Sequence, residues 1–198
     1  MSRVELKGGA LTSPLPPALV TVGQGDEANV LTVAWTGILA TVPPRTYISV
    51  RKRRHSHALL VQNREFVIHL PPSRLVREVD FCGMYTGAKI DKLARCGFTV
   101  IPSVTVSAPT ILECPIALEC RVSEIAEMGS HDVFFADILR VTADEGLFDE
   151  TGKLHIERAD LLAYAHGDYY RLGGCVGSFG FSAKKKKNGL KHRGEYRK

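Results

Sequence analysis

The sequence lacks the features of a membrane protein and of a disulfide-bonded secreted protein. Its 198 residues contain no run of about 18 apolar residues, roughly the length that spans a bilayer as a helix. The first ten residues carry cations but no apolar segment follows them, so no secretory signal is expected. The five cysteines are scattered and include no Cys-x-x-Cys pair. This pattern favours reduced thiols in a cytoplasmic protein over a disulfide framework or a zinc site.

Signatures of dinucleotide and metal sites are also missing. The stretch at 173–180, GGCVGSFG, does not have the order Gly-x-Gly-x-x-Gly and follows no predicted βα unit, so it does not predict a Rossmann site. His55 and His57 form a His-x-His pair, but no carboxylate or third ligand lies near them in the sequence. We therefore predict no metal site.

The positive charge of the chain is concentrated at its C-terminus. The net charge is +5, yet residues 184–198, KKKKNGLKHRGEYRK, hold eight of the 26 Lys and Arg residues and one of the 21 acidic residues. The other 18 cations and 20 anions leave a net charge of about −2 on residues 1–183. We expect one domain over 1–183 and a basic, disordered tail over 184–198. Binding of that tail to nucleic acid or to an acidic partner is the alternative.

Short β segments dominate the rest of the sequence. Runs of β-branched residues bounded by glycine or proline predict strands, and GSHD at 129–132 predicts a hairpin turn. The predicted strands are 18–23, 29–42, 46–50, 65–70, 98–106, 115–128 and 133–144. Many strands with few helices predict a mainly β protein built as an antiparallel barrel.

Four short helices are predicted between these strands. Three of them have a predicted N-cap, namely Ser56, Ser73 and Asp91, and Gly97 is the predicted end of the third. Their predicted ranges are 57–64, 74–81, 92–96 and, for the fourth, 157–165.

Four cations and two histidines occupy the seven positions from Arg51 to His57. The cluster follows a predicted strand and places Ser56 at a helix N-terminus, where free N–H groups and partial positive charge favour a bound anion. A hydroxyl flanked by Arg and Lys side chains suits a phosphate dianion. From local composition alone, a solvated basic turn is the alternative.

Other residues have an ordinary structural interpretation when each is taken alone. Trp35, the only tryptophan, lies in a predicted strand and is expected in the core. The segment 79–93 contains a predicted Phe-Cys-Gly turn and two lysines, and taken alone it predicts a loop that leads into a helix. His131 falls in the predicted hairpin turn, and Tyr164 is expected to pack beneath the last helix.

In their order and spacing, these segments resemble the flavin reductase-like family of FMN-binding split-barrel proteins, and within it the flavoredoxins. The resemblance covers about residues 14–182. It rests on PLPPALVTVG (14–23), NVLTVAWTGILATVPPRTYISVRKRRHSHALL (29–60), DFCGMYTGAKIDK (80–92), LECPIALEC (112–120), GSHDVFFADILRV (129–141) and YYRLG (169–173). It implies an antiparallel Greek-key split β-barrel, FMN as cofactor and a homodimer.

The resemblance also implies a flavin site. Contacts to the isoalloxazine ring and ribityl chain are implied for Asn29, Thr32 and Trp35. Contacts to the phosphate are implied for Arg51, Lys52, Arg54 and Ser56, where relatives often carry Thr in place of Ser56. The rest of the site is implied at Cys82, Gly83, Lys92, His131 and Tyr164, some of them across a dimer interface. Lys92 or His131 would favour reduction by placing a donor near N1 and the C2 carbonyl.

Three functions remain open on the sequence. The first is an NAD(P)H-dependent flavin reductase, using NADH or NADPH, and the second is a flavoredoxin-type carrier that receives electrons from a redox protein partner. The third is a nucleic-acid or acidic-partner module that uses the tail. The location of the basic excess in the tail disfavours the third. No residue pattern separates the first two, and we expect an FMN-binding oxidoreductase with reductase activity.

Overall fold

The computed structural model describes residues 1–183, and this part of the chain is mainly β. The predicted tail at 184–198 lies outside the described residues. The strands are β1 Ala18–Val22, β2 Asn29–Val33, β3 Thr36–Thr41, β4 Pro44–Arg51, β5 Glu65–Leu70, β6 Val100–Ile101, β7 Thr110–Ile111, β8 Ile116–Met128, β9 His131–Ala143, β10 Leu162–Ala165 and β11 Asp168–Arg171. The α-helices are α1 His55–Asn63, α2 Val76–Met84 and α3 Lys92–Arg95.

Seven of these strands form one antiparallel sheet, as the barrel prediction requires. Their order is β2-β1-β5-β8-β9-β4-β3, and β6–β7 and β10–β11 form two small separate pairs. β1 is buried along its whole length because both of its faces are covered. On one face Val20 packs with Phe66 and Phe134, and on the other Leu19 packs with Val79 of α2. α2 and α3 are therefore held against the sheet next to β2.

The long hairpin of β8 and β9 has its turn where one was predicted, but the turn is shorter than the predicted range 129–132. Only Gly129 and Ser130 separate the two strands, and Gly129 has a φ of +64°, which glycine adopts without strain. His131 is the first residue of β9 and pairs with Met128, so it lies in the strand and not in the turn.

The predicted strand at 29–42 is two strands with a bend between them. β2 ends at Val33 and β3 begins at Thr36, and the Ser49 N–H donates to the Trp35 carbonyl at 2.9 Å. Trp35 is 39% exposed. Trp35 therefore does not take the core position that its strand context alone would favour, because the bend turns it out of the strand alternation.

Two of the three predicted helix caps were wrong. α1 begins at His55 with Arg54 as its N-cap, and α2 begins at Val76 after a 3₁₀ turn at Ser73–Leu75. Neither Ser56 nor Ser73 caps a helix, because each hydroxyl is buried and bonds a side chain from a distant segment. At α3 the prediction is confirmed.

The cap and the stop of α3 both follow the local sequence. The Ala94 N–H donates to Asp91 Oδ1 at 3.0 Å, and Gly97 follows the helix with a φ of +67°. These interactions span only a few residues, so the sequence alone was sufficient to predict them.

Three further segments differ from the expectation. Phe81, Cys82 and Gly83 lie inside α2 and do not form a turn. The helix expected over 157–165 is a 3₁₀ turn at Ile156–Ala159 followed by β10, which pairs with β11. In the predicted strand at 98–106 only β6 is extended and paired. Among the described residues, no helix is both long and apolar enough to cross a membrane.

Candidate functional site

Two adjoining pockets lie beside β2, β4, α1 and α2. The first, here called the aromatic pocket, has a volume of about 420 Å³ and is lined by Trp35, His131, Tyr164 and Tyr169. The second, the basic pocket, has a volume of about 370 Å³ and is lined by Arg53, Arg54, His55, Ser56 and Lys92. The two share Leu31, Arg54, Gly83 and Met84, so they form one elongated groove.

The aromatic pocket has walls that suit a flat ring. The rings of Trp35 and His131 meet edge to face with centroids 4.7 Å apart, and those of Tyr164 and Tyr169 are 5.4 Å apart. Thr32 also lines the pocket, and its hydroxyl donates to the Val79 carbonyl and so ties α2 to β2. The pocket therefore combines aromatic surfaces with a part of β2 that is hydrogen-bonded to α2.

Two titratable groups of the aromatic pocket have pKa values shifted in the direction that favours their neutral forms. Desolvation and the nearby Arg51 lower the pKa of His131, which favours the neutral imidazole. Desolvation, followed by the neighbouring Asp80, raises the pKa of Tyr169 to about 12, and its phenol donates to Asp80 Oδ1 at 3.4 Å. Arg51 and Arg54 supply the positive charge of this pocket.

The basic pocket contains cations without acidic partners. Arg53 and Arg54 form no ion pair within residues 1–183, and burial, with Arg51 and Arg53 nearby, lowers the pKa of Arg54. Lys92 is only 3% exposed, and its Nζ donates to the Cys82 carbonyl at 3.1 Å. Desolvation also lowers the pKa of Lys92. Since buried cations are costly unless they are paired, this arrangement favours a bound anion.

Ser56 and Asn29 form the neutral part of the basic pocket. Asn29 Nδ2 donates to Ser56 Oγ at 2.6 Å, so the Ser56 proton remains free to donate into the pocket. Gly87 is required here, because a Cβ at this position would lie 2.3 Å from Asn29 Oδ1. Gly87 lies in a segment predicted as a loop, and nothing in the local sequence indicates this contact with Asn29.

Two of the twelve residues proposed from the sequence do not line either pocket. Lys52 Nζ pairs with Glu127 at 2.8 Å and with Asp132 at 3.4 Å. The Cys82 side chain is fully buried in the core, with its Sγ 3.8 Å from that of Cys96, and desolvation raises the pKa of its thiol. The other ten line one pocket or both, namely Asn29, Thr32, Trp35, Arg51, Arg54, Ser56, Gly83, Lys92, His131 and Tyr164.

Sequence reasoning also missed pocket residues on α2 and β11. Asp80 and Met84 were not proposed; with Gly83, which was, they line the aromatic pocket at the helical spacing i, i+3, i+4. A helix assigned over this segment would have shown that they share a face. Tyr169 belongs to the segment YYRLG, whose pairing with β10 brings it next to Tyr164.

His57, in the His-x-His pair, has a carboxylate neighbour that the sequence did not reveal. Its Nε2 lies 2.7 Å from Oδ2 of Asp132, the second residue of β9. Residues 1–183 nevertheless contain no group of three or more His, Cys, Asp or Glu side chains that could hold a metal ion. The pair links the start of α1 to β9 next to the pockets.

The sequence model of the flavin reductase-like domain family matches residues 11–173. The chain belongs to this family. Its split-barrel fold is also that of a flavoredoxin of Desulfovibrio vulgaris (Miyazaki F), with a TM-score of 0.86 and 29% identity over 92% of this chain and 100% of that one.

Two sequence relatives complete the comparison with the flavin reductase-like family. An uncharacterised protein of Pyrococcus abyssi is 33% identical over 152 residues, which are 77% of this chain and 87% of that protein. An NADPH-flavin oxidoreductase of Streptomyces viridifaciens is 26% identical over 155 residues, 76% of this chain and 79% of that protein.

Proposed function

We propose that this protein is an FMN-binding oxidoreductase, with the flavin ring in the aromatic pocket and the phosphate in the basic pocket. The observation that carries the proposal is the continuity of the two pockets. One end offers aromatic walls, and the other offers Arg53, Arg54 and Lys92 with no acidic partner within residues 1–183. A mononucleotide has one flat ring and one phosphate, which match the aromatic end and the cationic end of the groove.

The size and chemistry of the groove fit FMN. Each pocket falls within the range of roughly 300–1,000 Å³ that is typical of small-molecule sites. A phosphate dianion can accept hydrogen bonds from Arg54, from Lys92 and from the free Ser56 hydroxyl. The two cations balance its charge, and all three groups donate to its oxygens.

FMN supplies hydride and electron transfer when bound, and the residues of the chain orient it and set its charge environment. Lys92 lies in the basic pocket, at the phosphate end, whereas Arg51 and His131 lie in the aromatic pocket. We therefore assign the stabilisation of negative charge on the ring to Arg51, with neutral His131 as a ring contact. Lys92 becomes a phosphate contact.

The flavin assignment can be tested with two ligands that differ only in the phosphate. Arg54→Ala should lower the affinity of the apoprotein for FMN by about tenfold or more, and should change riboflavin affinity much less. Arg45→Ala is the matched control, since Arg45 pairs with Asp137 at an exposed site on β4. Fluorescence titration at fixed salt measures both affinities. Equal losses for both ligands, or a purified protein that carries FAD, would refute the assignment.

NAD(P)H-dependent flavin reduction is the activity we propose first. The relative from Streptomyces viridifaciens is an NADPH-flavin oxidoreductase, which supports this activity. The second candidate is an electron carrier, which the likeness to flavoredoxin favours. Anaerobic titration of the holoprotein with NADH and NADPH separates them. Rapid bleaching of the visible flavin band supports the reductase, and bleaching by dithionite alone supports the carrier.

We also propose a homodimer. The edge strand β3 exposes Ile38 and Leu39, and Val42 beyond it is 90% exposed, so this edge offers apolar surface for a second copy. Light scattering coupled to size exclusion measures the mass. A monomer at micromolar concentration would refute the proposal, and Ile38→Glu should shift a dimer toward monomer.

A further inference from the structure

A third, open surface depression of about 500 Å³ adjoins the flavin groove at the β8–β9 turn, and all of its lining residues are exposed. It is lined by Arg51, Lys52, Arg53, Gly129 and Ser130, and we call it the hairpin basin. Arg51 also lines the aromatic pocket, and Arg53 also lines the basic pocket. A ligand in the basin is therefore next to both ends of the proposed flavin site.

The charges of the basin are only partly compensated. Lys52 is paired with Glu127 and Asp132. Arg51 and Arg53 form no ion pair and no side-chain hydrogen bond with any residue of 1–183. In the proposed complex the FMN phosphate is met by Arg54 and Lys92 and the flavin ring by Arg51, which leaves the Arg53 guanidinium for a second anion. The Ser130 hydroxyl, bonded to His131 Nδ1 at 2.8 Å, adds a polar group at the same rim.

We infer that the hairpin basin binds the 2′-phosphate of NADPH and so selects NADPH over NADH. The inference rests on the proposed function, since it places the nicotinamide against the ring in the aromatic pocket. A phosphate monoester carries a charge of about −1.5 to −2 at pH 7 and is recognised best by paired guanidinium groups. Arg53 supplies one guanidinium at this entrance, and Arg51 beside it lines both the basin and the aromatic pocket, so it can contact this phosphate as well as the ring.

The test is calorimetric binding of NADP⁺ and NAD⁺ to oxidised, FMN-loaded protein. We expect NADP⁺ to bind at least tenfold more tightly, and Arg53→Ala to reduce this preference by about tenfold, as expected for loss of a charged hydrogen bond. Arg45→Ala removes the same charge from the same strand as Arg51, six positions and about 20 Å away. It should leave the preference unchanged. The ratio of kcat/KM values for NADPH and NADH should change in parallel.

Two results would overturn the inference. Equal affinities for NADP⁺ and NAD⁺ would show that the basin does not bind the 2′-phosphate. Equal losses for both nucleotides in Arg53→Ala would assign the basin to the pyrophosphate that they share.

If the proposed function is wrong, the outcome differs from both of these results. A colourless protein that ignores FMN refutes flavin binding, and this is visible before any nucleotide is added. Selective NADP⁺ binding without bleaching by NADPH would refute the reductase activity and leave the basin assignment standing.

Discussion

His69 is a fully buried histidine that the fold keeps neutral. Its Nδ1 donates to the Leu19 carbonyl at 3.1 Å, and its Nε2 accepts from the Ile111 N–H at 2.9 Å, so both nitrogens are used without a charge. Desolvation lowers its pKa to about 4, from an ordinary value near 6.5. The side chain joins β1, β5 and β7 only as the neutral imidazole.

This lowered pKa predicts loss of stability in acid. Above pH 6.5 the contribution of His69 is complete, and it is lost as the pH falls from 6.5 toward 4, because the unfolded chain then binds a proton that the folded chain excludes. The free energy of unfolding should fall by about 3 kcal/mol over this window from His69 alone. Urea unfolding at pH 7 and pH 4.5 measures it. His69→Gln cannot titrate, and an identical pH slope in that variant would contradict the prediction.

The pair of Ser56 and Asn29 gives a second prediction at the scale of single residues. Ser56→Ala removes no helix cap but leaves the buried Asn29 amide without its acceptor, which costs about 1–3 kcal/mol in the apoprotein. It should also lower FMN affinity by roughly 10- to 150-fold, because a hydroxyl donor to the phosphate is lost.

A double-mutant cycle provides the control for this pair. Asn29→Ala should cost much less stability in the Ser56→Ala background than in the wild type, with a coupling of about 1 kcal/mol. Additive effects would show that the two side chains act separately. Ser56→Thr keeps the hydroxyl and should retain most of the FMN affinity.

At the scale of elements, the short helix α3 depends on its cap. It has a single turn, and Asp91 accepts the Ala94 N–H while Lys92 reaches the Cys82 carbonyl on α2. Asp91→Ala should cost about 1 kcal/mol and weaken FMN more than riboflavin, since Lys92 loses its support at the phosphate end. Asp91→Asn preserves the capping oxygen and serves as the control. Chemical unfolding and fluorescence titration give both quantities, and equal effects of the two variants would argue against the cap.

At the scale of the whole molecule, we propose that residues 1–183 are the functional domain. The two pockets are lined by residues between Pro17 and Tyr169, and the basin by residues between Arg51 and Ser130. Deleting 184–198 removes a net charge of +7 and should lower the isoelectric point sharply with little change in FMN affinity. Isoelectric focusing and flavin titration of the truncated protein test this. A large loss of FMN affinity would show that the tail contributes to the site.

The sequence by itself determined the features that depend on near neighbours. Alternating β-branched runs predicted most of the large sheet, Gly129 predicted the β8–β9 turn, and Asp91 with Gly97 predicted the ends of α3. The position of the cation cluster after β4 was also evident. These features depend on backbone geometry and on hydrogen bonds over a few residues, so they are encoded locally.

Only the tertiary structure decided which of these side chains form the site. Ser56 bonds Asn29 across 27 positions, and Ser73 bonds Asp160 across 87 positions, so neither hydroxyl serves its own helix. The Lys52 charge is met by acids of the β8–β9 hairpin, whereas Arg53 has no acidic partner among residues 1–183. Pairing with a distant segment outweighs the local preference, because burial strengthens a satisfied hydrogen bond and penalises an unsatisfied one. Sequence spacing carries no direct measure of that burial.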